Sequence, residues 1–272
     1  GHLRCRTSPV PGAVTRVLGI VNITADSFSD GGRFLAPAAA VVQAQALMRA
    51  GAAAVDLGPA STHPDAEFVS FEEEIRRLSP VVDALDVPIS IDSFHPETQV
   101  WALGKGVDYL NDIQGFPNPE IYSQLADSDT GLIAMFSIQA NGGATREDTE
   151  PSDVMDRIQA FFDARVDALL GAGVARERLI LDPGMGFFLG SDPACSLAVL
   201  RAIPELKRRY GLSVLVSVSR KSFLRGLTGT DLAGIGPATL SAELYAARAG
   251  VDWIRTHDVA ALRDALLIQD AL

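Results

Sequence analysis

The chain has 272 residues, 47% hydrophobic and 21% charged, and its 23 Lys and Arg against 34 Asp and Glu leave a net charge of -11. A field of that sign repels nucleic acid and anionic membrane surfaces, so neither is expected as a partner, and an anionic substrate has to be held by local cations. No run approaches the roughly 18 apolar residues of a membrane span, and the opening GHLRCRTSPVPG has no apolar leader core.

The first 15 residues read as an N-terminal extension and 16–272 as the domain proper. The apolar run 16–21 is the first predicted strand; it opens onto Asn22 and the polar, glycine-paired loop NITADSFSDGGRF. A second run at 53–57 leads into a long connection over 58–70. Ser70 then precedes Glu73 in the capping-box pattern, and Phe71, Ile75, Leu78, Val82 and Leu85 recur at helical spacing. The third run, 88–91, ends on Asp92, and His95-Pro96-Glu97 places Pro at a first helical position. The fourth, 108–110, ends on Asn111; the fifth, 131–136, carries Met135 and opens onto a third long connection, 137–151. Val154, Ile158, Phe161, Val166 and Leu169 mark the next helix, before a sixth run at 178–181 that ends on Asp182. The seventh, 213–218, ends on Ser219 to Lys221, and the eighth, 251–254, on Arg255 and His257. Gly51, Gly106, Gly173 and Gly250 fall between a helical run and the next strand, where helix-stopping glycines belong. Cys5 lies in the extension and Cys195 on a predicted helix; without CxxC or metal-ligand spacing they read as free thiols, which suits a reducing cytoplasm.

Strand-helix alternation of this kind gives βα units and a parallel sheet. A doubly wound open sheet would carry a GxGxxG turn after its first strand, which NITADSFSDGG lacks. With eight units the expected fold is α/β, a single-domain (β/α)8 TIM barrel. Polar residues at the trailing end of one strand after another then place the chemistry at one mouth. There the first loop has the equipment to organise an anion and a hard metal ion, Asp92, Asn111 and Asp182 supply carboxylates and an amide, and Lys221, Arg255 and His257 bring cations to an otherwise acidic chain.

Seven motifs in order, NITADSFSDGG, ASTHPDA, ISIDSF, LNDIQG, LDPGMGF, SVSRKSF and IRTHDV, resemble dihydropteroate synthase from about residue 17 to 265. The resemblance implies a barrel enzyme that joins 6-hydroxymethyl-7,8-dihydropterin pyrophosphate to p-aminobenzoate, with Mg2+ and as a homodimer. It assigns the pterin to Asp92, Asn111, Met135, Asp182, Lys221 and Arg255, and the pyrophosphate to Asn22, Thr62, His63, Arg255 and His257. It gives p-aminobenzoate Phe28, Thr62, Pro64, Phe187, Phe188 and Ser222, leaves Asp26 and Asp30 to order the first loop, and makes Asn22 the protein contact for Mg2+. Lys221, Arg255 and His257 are the implied catalytic groups, while Arg220 reads as structural.

Two departures from the family pattern stand out. His63 replaces the arginine of S-T-R-P, exchanging a permanent bidentate cation for a group that titrates near neutrality. In DPGMGFFLG, Phe188 replaces a glycine and Leu189 a lysine, which makes the chain look like the sulfonamide-insensitive members of the family. Rival readings are a pterin-dependent methyltransferase barrel, which would have no pyrophosphate to hold, and a non-catalytic pterin-binding protein.

Overall fold

The computed structural model describes residues 15–23, 35–61, 68–138 and 149–272. Eight strands alternate with helices in chain order: β1 (Arg16–Asn22), α1 (Leu35–Arg49), β2 (Ala54–Gly58), α2 (Phe71–Ala84), β3 (Ile89–Asp92), α3 (Pro96–Lys105), β4 (Tyr109–Asp112), α4 (Tyr122–Ala126), β5 (Gly131–Met135), α5 (Val154–Gly171), β6 (Leu179–Asp182), α6 (Pro193–Tyr210), β7 (Ser213–Val216), α7 (Ser222–Thr228), α8 (Gly236–Arg248), β8 (Trp253–Thr256) and α9 (Val259–Ala271). The strands form a closed barrel in sequence order, β1 to β8, and every pairing is parallel, including β8 back to β1. The expected (β/α)8 barrel is therefore the observed one. No helix among the described residues is long and apolar enough to cross a membrane.

Local chemistry sets the element ends. Ser70 caps α2 by accepting from the Glu73 amide, and Pro96 starts α3. Gly106 ends α3 at φ +71°, a left-handed turn that a side chain would resist. Two helical faces differ from the periodic reading. In α5, Phe162 takes the core position between Ile158 and Val166, and Phe161 stays half-buried, edge-on to Phe136. In α2, the buried face includes two charged residues, Glu74 and Arg77, alongside Leu78, Val81 and Val82, whereas Phe71, Ile75 and Leu85 are only partly covered.

Apolar side chains divide between a small cluster of Ile113, Met135 and Phe188 at the mouth and two main cores. The larger lies between strands and helices; the smaller fills the barrel, with Leu18, Ala54, Ile133, Ile180, Leu215 and Trp253 packed against Tyr109. Each large apolar side chain so buried contributes roughly 1.5–3 kcal/mol. Residues two apart on a strand share a face, so the next layer toward the mouth is Ile20, Asp56, Asn111, Met135, Asp182, Ser217 and Arg255. The barrel changes from apolar plug to polar site within one pleat.

Candidate active site

Strand register brings that polar layer together. Asp92 lies beside Asn111 across β3 and β4, and Met135 beside Asp182 across β5 and β6. Arg255, reaching in from β8, donates through Nε to Asp56 Oδ2 at 2.6 Å and through Nη2 to Asp92 Oδ2 at 2.9 Å. Asn111 Nδ2 donates to the same Asp56 oxygen at 3.1 Å. One guanidinium thus holds two carboxylates that would otherwise repel each other, which makes it the keystone of the floor.

This arrangement leaves acceptors without protein donors. Asp56 Oδ1, Asn111 Oδ1 and Ser217 Oγ are buried and have no hydrogen-bond partner among the described residues. Buried polar atoms in that state cost about 1–3 kcal/mol each, so the floor is built for a ligand that brings N–H groups.

Burial and the neighbouring charges also tune the protons. Burial pushes the Asp92 carboxyl up to about 7, with Arg255 opposing and Asp56 adding to the rise. Asp182 is pushed up to about 6 by burial, although the Gly184 amide donates to it at 2.9 Å and favours its charged form. Burial takes Lys221 down to about 8, with Arg255 pushing the same way.

His257 departs from the cation expected of it. Burial, together with Arg220, Arg255 and Lys221, holds its ring down to about 3, so it is neutral near pH 7. Ser219 Oγ accepts from the His257 amide at 3.3 Å and lies 2.8 Å from Nδ1. The serine proton then goes to Nδ1, an assignment made from the network, and the ring keeps its own proton on Nε2 as a donor.

Above this floor opens a cavity of about 430 Å³ lined by Asn22, Asp92, Phe187, Lys221, Arg255 and His257 among others. Asn22 is exposed, and Gly58 lies between it and Asp92: a Cβ there would stand at ordinary contact distance, 3.5 Å from Asn22 Oδ1 and 3.8 Å from Asp92 Oδ2. Phe188 is 5% exposed, packed with Ile113, Met135 and the partly buried Phe94 and Phe187, and its ring lies 4.9 Å beneath Lys221 Nζ. Ser222 starts α7 directly beside the glycine-rich turn; a Cβ on Gly186 would come within 3.0 Å of its hydroxyl.

The structure thus collects Asn22, Asp92, Asn111, Met135, Asp182, Phe187, Phe188, Lys221, Ser222, Arg255 and His257 at one end of the barrel. Phe28, Asp26, Asp30, Thr62, His63 and Pro64, like Cys5, lie outside the described residues. Cys195 is buried on α6, where its Sγ donates to Thr149 O at 3.3 Å. Arg220, expected to be structural, plays two parts. Its backbone sits at φ +59° with the amide donating to Thr239, while its side chain is exposed at the mouth. Asp56 and Arg225 were missed in the sequence. A lone carboxylate inside the apolar run AAAVDLG marks the first, and the helical offset of three from Ser222 marks the second.

Comparison with known proteins agrees with this geometry. A family model described as pterin binding enzyme matches residues 18–257. The type-2 dihydropteroate synthase of Escherichia coli is 57% identical over 259 residues, covering 94% of this chain and 95% of that protein. Among solved structures, dihydropteroate synthase from Anaplasma phagocytophilum with bound 6-hydroxymethylpterin-monophosphate superposes with a TM-score of 0.85 at 34% identity, covering 95% of this chain and 99% of that one. The Xanthomonas albilineans enzyme with 4-aminobenzoic acid gives a TM-score of 0.84 at 36% identity, covering 95% and 93%. Floor, mouth and relatives point the same way, and the chain belongs to the pterin-binding enzymes and, among them, to the dihydropteroate synthase family.

Proposed function

We propose that this enzyme condenses 6-hydroxymethyl-7,8-dihydropterin pyrophosphate with p-aminobenzoate, releasing 7,8-dihydropteroate and pyrophosphate. The observation that carries the reading is the set of buried, unpartnered acceptors beside Asp92 and Asp182. A pterin's amino-pyrimidinone edge presents N–H donors to such a floor, and a site built this way rejects rings that lack them.

In the reaction the bond between the pterin methylene and the pyrophosphate oxygen breaks, with its electron pair leaving on pyrophosphate. The amine nitrogen of p-aminobenzoate supplies the pair for the new C–N bond and then loses a proton to solvent. Asp182, and Asp92 when ionised beside Arg255, stabilise positive charge spreading over the ring as the leaving group departs. Arg255 and the Nε2 proton of His257 serve the leaving oxygens, and Lys221 holds the pterin. Neutral at working pH, the aromatic amine needs orientation more than activation, which Phe187, Phe188 and Ser222 supply.

Among the described residues no cluster of three or more His, Cys, Asp or Glu side chains is suited to a metal. A hard oxygen donor at Asn22 beside the anion site still fits Mg2+, which keeps waters and phosphate oxygens as its main ligands. When bound, the ion neutralises charge on the pyrophosphate. Three expectations remain: a cytoplasmic location, which the cysteine spacing suits, a homodimer, which the resemblance implies, and a part for His63 in pyrophosphate binding although it departs from the family's arginine; sedimentation and a pH profile of His63→Arg would check the last two.

Pyrophosphate release from the pterin substrate, measured with and without p-aminobenzoate, tests the reading. Release that depends on the amine and matches dihydropteroate formation supports it. Pterin binding without release would favour the methyltransferase or the binding-protein reading.

Sulfonamide insensitivity belongs to the same proposal. Phe188 is 5% exposed, packed against Met135 and Ile113, and lines the cavity beside Lys221, so its ring forms part of the wall. Such a wall can admit a flat carboxylate and exclude a tetrahedral sulfonyl group. Phe188→Leu should lower the sulfonamide inhibition constant more than it changes KM for p-aminobenzoate; equal shifts in both would remove the ring as a filter.

A further inference from the structure

Behind the carboxylate floor, between the strand ends and helices α2 and α3, lies a line of buried polar groups that the reaction does not touch. At its centre is Glu74, 1% exposed. Its Oε2 accepts from Ser93 Oγ at 2.5 Å and from Thr98 Oγ1 at 2.7 Å. Burial raises its carboxyl above the usual range, the two hydroxyls opposing. An apolar residue of similar size would avoid the desolvation cost of a buried carboxyl, so its presence calls for a role.

Ser93 directly follows Asp92, and every polar atom of its backbone and side chain is engaged. Its amide donates to Asn111 O at 3.0 Å, its carbonyl accepts from Gln99 Nε2 at 2.8 Å, and its hydroxyl accepts from the His95 amide at 3.1 Å while donating to Glu74. Gln99 Nε2 also lies 2.8 Å from Asp112 Oδ2, at the end of β4. The peptide after Asp92 is therefore gripped on three sides, and hydrogen bonds in such a chain polarise and stiffen one another. The same helix reaches the neighbouring loop as well, because Arg77 Nη1 donates to Pro59 O at 2.7 Å.

We propose that Glu74 is a positioning residue for pterin recognition: by holding Ser93 it fixes the Asp92 carboxylate in the geometry that meets Arg255 and the ring. The inference rests on the reading that Asp92 takes the pterin. A ligand-binding carboxylate has to be held within about 0.5 Å of its productive place by its supporting shell. Glu74 ties β3's end to α2 as well as α3, whereas the backbone ladder ties it only to β2 and β4.

The test uses the full chain and its variants Glu74→Leu, Ser93→Ala, Thr98→Val, Asp92→Asn and the Glu74→Leu/Asp92→Asn double; leucine is used because a glutamine oxygen would still accept from both hydroxyls. Binding of 6-hydroxymethylpterin is measured by calorimetry, with KM for p-aminobenzoate and thermal melting alongside. Glu74→Leu and Ser93→Ala should each weaken pterin binding by roughly tenfold and leave KM for p-aminobenzoate unchanged. In the Asp92→Asn background Glu74→Leu should add nothing further, because Glu74 acts on the pterin only through Asp92. Thr98→Val should lower the melting temperature without changing pterin affinity. Multiplying losses in the double variant, or a Thr98→Val loss equal to that of Glu74→Leu, would overturn the proposal. So would pterin binding at parent strength in Glu74→Leu while Asp92→Asn binds poorly. Unchanged binding in Asp92→Asn would overturn the parent reading of Asp92, and this proposal with it. If Glu74→Leu does not fold, Ser93→Ala carries the same comparison.

Discussion

On the β2 to β4 side of the mouth, Asp56, Asp92 and Asn111 stand on strands whose ends are pinned from behind by Glu74, Gln99 and Asp112. On the β7 and β8 side, Arg220 and His257 come from loops and Arg225 from the last turn of the short helix α7, and of these Arg220 and Arg225 are exposed. The difference matches two recognition problems. Reading the edge of a flat heterocycle needs fixed donors and acceptors, whereas holding a multiply charged leaving group needs charge nearby and tolerates movement. Arg255 belongs to both sides, since it rises from β8 and is clamped by Asp56 and Asp92.

Removing that shared residue should break the comparison most severely. Arg255→Ala leaves two buried carboxylates without their cation, and breaking a buried pair from one side costs about 3–5 kcal/mol of stability. Turnover should fall by at least ~1,000-fold in kcat/KM. Thermal melting and steady-state kinetics read both effects; a variant that melts like the parent would show the ion pairs to be incidental.

Asn22→Ala acts only on the anion side and should slow turnover at least about tenfold, about 1.4 kcal/mol in the barrier. Pterin binding without pyrophosphate should be unaffected. Turnover at the parent rate without added metal would sink the Mg2+ assignment.

The smallest expected effect lies on the opposite wall and appears in stability rather than rate. Because Asp182 is raised to about 6 in the folded protein, the fold binds its proton more tightly than the unfolded chain, whose carboxyl titrates near 3.9. Its stabilising contribution is therefore complete below the unfolded value and is lost as pH rises through about 6. Asp182→Asn lacks that titration. The melting temperature of the parent minus that of the variant should be largest below about pH 4, shrink between about pH 4 and 6, and level off above, by a few degrees at most. A constant difference across that range would mean that Asp182 is not raised. His257, held down to about 3, works in the opposite sense and is common to both proteins, so it cancels in the subtraction.

How far the sequence carries depends on whether a residue's signal is local. The barrel was legible from eight apolar runs, six of them with polar trailing ends, and Asp92, Asn111 and Asp182 from their place at those ends. Asp56 was not, because it sits inside its run, two residues after Ala54, where a strand-end reading passes over it. Glu74 was hidden by its neighbours. Glu72, Glu73 and Glu74 together resemble the solvated acidic first turn that helices favour, and only the placement of α3 and Ser93 shows that one of the three is buried. The neutrality of His257 arises from burial among three cations, Arg220 and Lys221 from the segment after β7 and Arg255 from β8, and no single stretch of sequence contains that.

The single pleat that separates plug from floor has a consequence for inheritance. Leu18, Ala54, Ile133, Ile180, Leu215 and Trp253 answer to the demands of folding, while the residues two places along the same strands answer to the ligand. Strand positions alternate in facing, so between each such pair stands a residue that answers to the surrounding helices. Selection on drug encounter, substrate or temperature thus acts on different letters of the same four- to seven-letter words. A lineage can rewrite one set while its neighbours keep the barrel closed, but inserting one letter would turn the whole word inside out.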